Sequence, residues 1–200
     1  MSVLPASAAP VRTPPPGTYY DPALDADVIK LLPAEWRVSA DPIALATVLG
    51  SCVAACIFDA SANVGGMNHF MLPDATPGDG SARYGAHAME LLINGLLKHG
   101  AARSRLQAKV FGGGNVLPGM TLDPIGTRNG NFVLNYLGAE RIPIIAQDLF
   151  GVQPRKVCFF VRTGRTLVKR LPAAGEIARA ERAYRSQLAQ KPVAGSVELF

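Results

Sequence analysis

The sequence predicts an α/β (α+β) domain: a layered mixed β-sheet with helices packed on the sheet faces. Three observations lead there. Short apolar runs rich in Val and Ile alternate with stretches of helical periodicity. Two of those runs, 157–162 and 166–171, flank Thr163-Gly164-Arg165 as a β-hairpin, so the sheet is not purely parallel. A chain of 200 residues with 48% hydrophobic and 18% charged composition is also long and apolar enough to bury a core.

The elements follow in order. Pro5, Pro10, Pro14, Pro15, Pro16 and Pro22 forbid helix and ladder pairing, so residues 1–24 read as a disordered, polyproline-like tail. A folded domain then spans 25–172, with its first element expected between Asp25 and Ile43, and 173–200 form a C-terminal helix and tail. The apolar run 43–59 is broken at Gly50-Ser51 and reads as two strands with a backbone break between them. Gly65-Gly66 reads as a turn, 67–72 as a short buried strand carrying His69, and 73–81 as a surface loop. Residues 82–99 have Tyr84, Ala88, Leu91, Leu92 and Leu96 at helical spacing, with Ser81 to cap the start and Gly100 to end the helix. A strand at 106–111 runs into a tight turn at Gly112-Gly113-Gly114. A second helix is expected from Asn129 or Asn131 to about Gly138, burying Phe132, Val133, Tyr136 and Leu137. A strand at 141–147 precedes the hairpin, and a polar, alanine-rich helix at 175–190 ends before Pro192. The closing Val197-Glu198-Leu199-Phe200 alternates like a short edge strand.

Charge and cysteine usage exclude several classes. The net charge of +5 is uneven: residues 155–191 hold ten basic and two acidic side chains. Only Tyr184 is aromatic within the basic helix, so this stretch suits an acidic protein surface or a solvated face rather than nucleic acid. The longest unbroken apolar run, 52–58, is far short of the ~20 residues of a membrane span, and the N-terminus lacks a basic start followed by an apolar stretch. Neither membrane insertion nor a signal peptide is expected. Cys52, Cys56 and Cys158 are too few and too odd a number for a disulfide scaffold, which makes the reducing cytoplasm the expected location.

The chemistry concentrates in Leu49-Gly50-Ser51-Cys52-Val53 and, seventeen residues after the cysteine, His69. A thiol at a strand break is exposed more readily than one inside a strand. Gly50 and Ser51 let backbone N–H groups turn towards a developing oxyanion, and an imidazole on a neighbouring strand can ionise the thiol. That pattern suits acyl transfer through a thioester. Against it stands the plain reading of Cys52 as a small buried hydrophobe, which applies more strongly to Cys56 and Cys158. A zinc site on Cys52, Cys56 and His69 is disfavoured, because one strand would separate the two cysteines by about 13 Å. A thiol redox role lacks a closely spaced resolving cysteine. The glycines at 112–114 lack the Lys-Ser/Thr sequel of a phosphate loop.

Several segments in order, Leu49-Gly50-Ser51-Cys52-Val53-Ala54-Ala55-Cys56, Gly65-Gly66-Met67-Asn68-His69-Phe70-Met71-Leu72-Pro73, Arg83-Tyr84-Gly85, Lys109-Val110-Phe111-Gly112-Gly113, Ile125-Gly126-Thr127-Arg128-Asn129, Asp148-Leu149-Phe150-Gly151 and Pro154-Arg155-Lys156-Val157, resemble the chemoreceptor glutamine deamidase (CheD) family. The resemblance runs from about Ala44 to Leu171. It implies a layered fold similar to the deamidating cytotoxic necrotizing toxins. It also implies conversion of glutamines of methyl-accepting chemotaxis receptors to glutamate, a Cys-His-Thr catalytic set, no cofactor or metal, and a CheC-type phosphatase as a possible regulatory partner. The cysteine maps onto Cys52 and the histidine onto His69. The family's threonine stands six positions before the cysteine, where this chain has Ala46. Thr47, one position later, is the candidate, although a one-residue shift along a strand turns a side chain to the other face. A positive patch around 155–185 is expected to steer the enzyme to receptors. The rival class is a non-catalytic chemotaxis adaptor that binds receptor or phosphatase through the same cleft.

Overall fold

The computed structural model describes residues 17–72, 81–116, 124–172 and 175–190. Its strands are β1 (Tyr19–Asp21), β2 (Ala26–Lys30), β3 (Trp36–Ser39), β4 (Ile43–Leu49), β5 (Val53–Asp59), β6 (Val64–Asn68), β7 (Gln107–Gly112), β8 (Ile144–Leu149), β9 (Arg155–Phe160) and β10 (Thr166–Arg170). Its α-helices are α1 (Ser81–Lys98), α2 (Ile125–Ala139) and α3 (Gly175–Gln190), with a 3₁₀ turn at Arg103–Arg105. The strands form two five-stranded sheets, ordered β1-β2-β4-β9-β10 and β3-β6-β5-β7-β8. Each sheet is mixed: β2 runs parallel to β4 and β7 parallel to β8, and the other pairings are antiparallel.

The layers explain why the run 53–59 is apolar throughout. Every residue of β5 is buried. Ala54, Cys56 and Phe58 join Leu45, Leu49, Val157 and Phe159 of the other sheet in one core. Val53, Ala55 and Ile57 join Met89, Leu92 and Leu96 of α1 and Val133 and Leu137 of α2 in a second. A strand covered on both faces has no solvent side to alternate with. The order of layers is α1 and α2, second sheet, first sheet, and the functional segments meet between the two sheets.

The expected α/β class, the strand break at Gly50, the helix near 82–99, the hairpin and the C-terminal helix all appear. Other details differ. Gly65 and Gly66 lie inside β6 rather than in a turn; a Cβ on Gly65 would come 2.2 Å from the Val161 carbonyl oxygen, so close approach of backbones requires this glycine. His69 follows β6 rather than lying within a strand. α2 starts four residues before Asn129, with Pro124 at its N-cap position, and buries Asn129. The strand expected at 141–147 begins at Ile144, because Ile142 still closes the end of α2 through its N–H to Leu137. β2 and β3 lie in the 25–43 window where the folded part is expected to begin, and β1 has no counterpart in the sequence reading. The first strand begins at Tyr19, where the sequence placed a tail, and pairs with β2. The closing segment 197–200 and the loop around 73–80 lie outside the described residues.

Arg155, the first residue of the expected steering patch 155–185, is not on the surface. It is 2% exposed, and its guanidinium donates to the carbonyls of Gly112, Asp148, Phe150 and Gln153 and to the Asp148 carboxylate. It ties the ends of β7, β8 and β9 together, so it is not part of a steering surface. Asp59, fully buried at the end of β5, pairs with Arg105 at 2.8 Å and accepts N–H bonds from Ser61, Ala62 and Ala102. The Arg105 bond is the main cause that lowers its carboxyl pKa to about 2.

Candidate active site

The break between β4 and β5 is a short loop, 50–52, whose peptide planes are held from behind. Gly114 N–H donates to the Gly50 carbonyl at 2.7 Å and Gly113 N–H to the Cys52 carbonyl at 2.8 Å. Asn129 of α2 donates to the Ser51 carbonyl at 2.8 Å and accepts from Leu72 N–H at 2.8 Å. In a trans peptide the carbonyl and the next N–H point in opposite directions. Pinning the Gly50 and Ser51 carbonyls therefore turns the N–H groups of Ser51 and Cys52 towards the opposite side, where an anion can sit. Gly112-Gly113-Gly114, read from the sequence as a tight turn, is one of the clamps that produce this arrangement.

His69 reaches the same place from the neighbouring chain segment. Val53 and Phe70 exchange both backbone hydrogen bonds at 2.9 Å. Across such a pair, Cys52 and His69 are diagonal neighbours on one face, a separation of about 7 Å. That face is turned to the first sheet, where Thr47 of β4 waits. Thr47 Oγ1 lies 2.8 Å from His69 Nδ1 and donates to the Leu31 carbonyl at 2.9 Å. The hydroxyl has one proton, and the Leu31 oxygen can only accept. The proton between Thr47 and His69 therefore belongs to Nδ1, which leaves Nε2 as a lone pair. Nε2 is buried and has no hydrogen-bond partner. Burial lowers the imidazole pKa to about 4, against a smaller opposing effect of the Leu31 carbonyl. At neutral pH the ring is uncharged and its Nε2 is free to take a proton.

Cys52 is 1% exposed, and its thiol pKa is raised well above the ordinary value, first by burial and then by the charge and hydrogen bond of Glu181. Glu181 comes from α3. Its Oε1 accepts from Gly50 N–H at 2.9 Å and Cys52 N–H at 3.4 Å. Its Oε2 accepts from Ser51 N–H at 2.9 Å and Ser51 Oγ at 2.8 Å. One turn along α3, the Tyr184 hydroxyl meets that of Tyr84 at 3.2 Å. His69 also lines a cavity of about 240 Å³, together with Glu35, Trp36, Tyr84, His87 and Leu91.

The structure pairs Thr47 with His69 and gathers Gly50, Ser51 and Cys52 around Glu181, with the Val53–Phe70 bridge joining the two groups. Ala46 points the other way, into the small cluster with Val28, Ala44 and Cys158 on the far face of the first sheet. Two participants escape the sequence reading. Asn129 stands inside one of the family motifs but reads there only as a helix start, and Glu181 lies in a helix with no expected role at the site. No local signal marks either, since their partners are 78 and 130 positions away. Among the described residues no three His, Cys, Asp or Glu side chains are grouped to hold a metal ion, and no helix is long and apolar enough to cross a membrane.

A thiol, an imidazole nitrogen without a partner and a set of converging N–H donors are the groups that nucleophilic attack on an amide or ester carbonyl requires. A family model described as CheD, chemotactic sensory transduction, matches residues 71–170. A protein of Stenotrophomonas maltophilia K279a named "Probable chemoreceptor glutamine deamidase CheD" is 55% identical over 195 residues, covering 96% of this chain and 98% of its own. Proteins of the same name from Xanthomonas campestris pv. campestris and Thiobacillus denitrificans are 57% identical over 185 residues and 53% over 189, covering 91% of this chain and 93% and 94% of theirs. The chain belongs to the CheD family.

Proposed function

We propose that this chain deamidates selected glutamine side chains of chemotaxis receptors, through a thioester formed on Cys52. The observation that carries the reading is the His69 nitrogen left without a partner, oriented by Thr47, beside a loop whose N–H groups already hold a carboxylate. The names of the relatives supply the substrate.

In this mechanism His69 Nε2 takes the Cys52 proton as the sulfur attacks the carboxamide carbon. The N–H groups of Gly50, Ser51 and Cys52 stabilise the oxyanion; removal of one such donor typically costs 10²–10³-fold in rate. The imidazolium, steadied by its Nδ1–H bond to Thr47, returns the proton to the amide nitrogen, and ammonia leaves. Water, deprotonated by the same nitrogen, then cleaves the thioester to give glutamate and free thiol. Each step uses only protein groups and water. The catalytic unit in this reading is residues 25–172. The cytoplasm is where it would meet its receptors, and a CheC-type phosphatase is the regulatory partner to try first.

Mass spectrometry of receptor fragments, with ammonia release measured in parallel, tests this. Wild-type protein converts glutamine to glutamate, and Cys52→Ala and His69→Ala lose conversion by several orders of magnitude while remaining folded. Equal conversion by Cys52→Ala would refute the mechanism. Binding of receptor without any conversion by the wild type would favour the adaptor class instead.

A further inference from the structure

α3 delivers to the site a side chain that the catalytic reading leaves unexplained. Glu181 is 7% exposed, and among the described residues its carboxylate accepts from 50–52: three backbone N–H groups and the Ser51 hydroxyl. Gly50 makes room for it, because a Cβ there would stand 2.6 Å from Glu181 Oε1. Tyr184 packs against the core cluster that contains Cys52, so the helix adds cover to that cluster as well as filling the anion pocket. This arrangement rests on more than incidental proximity, since both oxygens of one carboxylate are satisfied by the groups proposed to stabilise the reaction's oxyanion.

We infer that α3 is a tethered product analogue: Glu181 occupies the place of the glutamate that the reaction generates, and the closed chain is its own competitive inhibitor. The inference rests on the deamidase reading above and extends it to regulation. The chemistry of the donors favours product over substrate. A carboxylate accepts on both oxygens, whereas a carboxamide has one accepting oxygen and would set its NH2 group against a backbone N–H. A glutamate therefore holds α3 in place more firmly than a glutamine would. The negative charge beside Cys52 also opposes thiolate formation, which keeps the closed form inert. Receptor glutamine gains access when α3 leaves, and any partner that binds α3 away from the loop activates the enzyme.

A glutamine at position 181 changes the analogue into a substrate. In Glu181→Gln, Cys52 attacks the carboxamide carbon of the substituted side chain, and the C–N bond breaks as His69 protonates the nitrogen. Ammonia departs, and water hydrolyses the thioester to restore glutamate at 181 and the free thiol. Net, one water is consumed and one ammonia released.

The test uses full-length chains. In Glu181→Gln, the peptide carrying residue 181 should gain the mass of NH2 replaced by OH, with a rate independent of protein concentration, and the double variant with Cys52→Ala should not. Glu181→Ala should deamidate receptor fragments faster than wild type, about tenfold if the open form is about a tenth of the wild-type population. Site-resolved alkylation of Cys52 by iodoacetamide should accelerate in Glu181→Ala as well. If receptor fragments are deamidated but the carboxamide at position 181 persists and Glu181→Ala is no faster, the tethered-analogue proposal is overturned and the deamidase reading stands. If no variant deamidates receptor, the deamidase reading falls. The alkylation rate then judges the docking of α3 alone, and an unchanged rate overturns that too.

Discussion

Replacing Thr47 by valine keeps the shape of the side chain and removes only its hydroxyl. Two buried hydrogen bonds go with it, the one given to Leu31 at 2.9 Å and the one shared with His69 at 2.8 Å. Each loss leaves a buried partner unpaired, the Leu31 carbonyl and the His69 Nδ1–H, at about 1–3 kcal/mol apiece, so the total is about 2–6 kcal/mol against about 5–15 kcal/mol for an ordinary domain. Catalysis should suffer as well. Without the acceptor on Nδ1 the imidazole no longer has a fixed tautomer and tilt, and a displacement of about 1 Å at a reacting group costs about 10²-fold. The expectation is a fall of about 10²-fold in kcat for receptor deamidation with little change in KM, alongside that loss in urea unfolding. Thr47→Ser, which keeps the hydroxyl, should recover most of the rate. Moving the hydroxyl one position, in the double variant Ala46→Thr with Thr47→Ala, should not, because position 46 faces Val28 and Ala44 on the other side of the sheet. A Thr47→Val enzyme that turns over within about twofold of wild type while losing the stability worked out above would refute the orienting role.

Asn129→Leu removes the bonds to the Ser51 carbonyl and the Leu72 N–H, leaving two buried groups unpaired at about 1–3 kcal/mol each, and frees the Cys52 peptide plane. Its kcat should fall by about 10²–10³-fold, the range for a lost oxyanion donor, and a rate equal to wild type in the folded variant would show that the loop holds its own orientation. Stability should also depend on acid in a defined window. The unfolded chain protonates His69 near its ordinary value of 6.5 and the folded chain only near about 4, so this contribution is present above pH 6.5 and is lost as pH falls to 4, roughly 3 kcal/mol in all. Urea titrations at pH 7.5 and 4.5 should therefore differ less for His69→Gln than for wild type; parallel behaviour of the two would contradict the buried neutral ring. Asp59, whose folded pKa is about 2, adds a second loss at lower pH, between its ordinary carboxylate value and 2, that Asp59→Asn should abolish.

Features that depend on neighbours along the chain are legible in residue order alone. The break at Gly50, the helical spacing of Leu92 and Leu96, the hairpin about Gly164 and the segments around Cys52 and His69 are all local patterns, and each appears where its pattern lies. The face of Thr47 was undecided for a physical reason. Both sides of β4 are buried, so Ala44, Leu45, Ala46 and Leu49 are all apolar and the alternation that would have set Thr47 apart from Ala46 is blank. Only pairing between distant segments resolves it, when the bridge at Val53 and Phe70 brings His69 over the first sheet. The same holds for Asn129 and Glu181, which act on residues 50–52 across more than a third of the chain. Residue type and spacing specify which groups are able to react; which of them touch, and which carboxylate fills the pocket, is decided by how two sheets and a terminal helix close on each other.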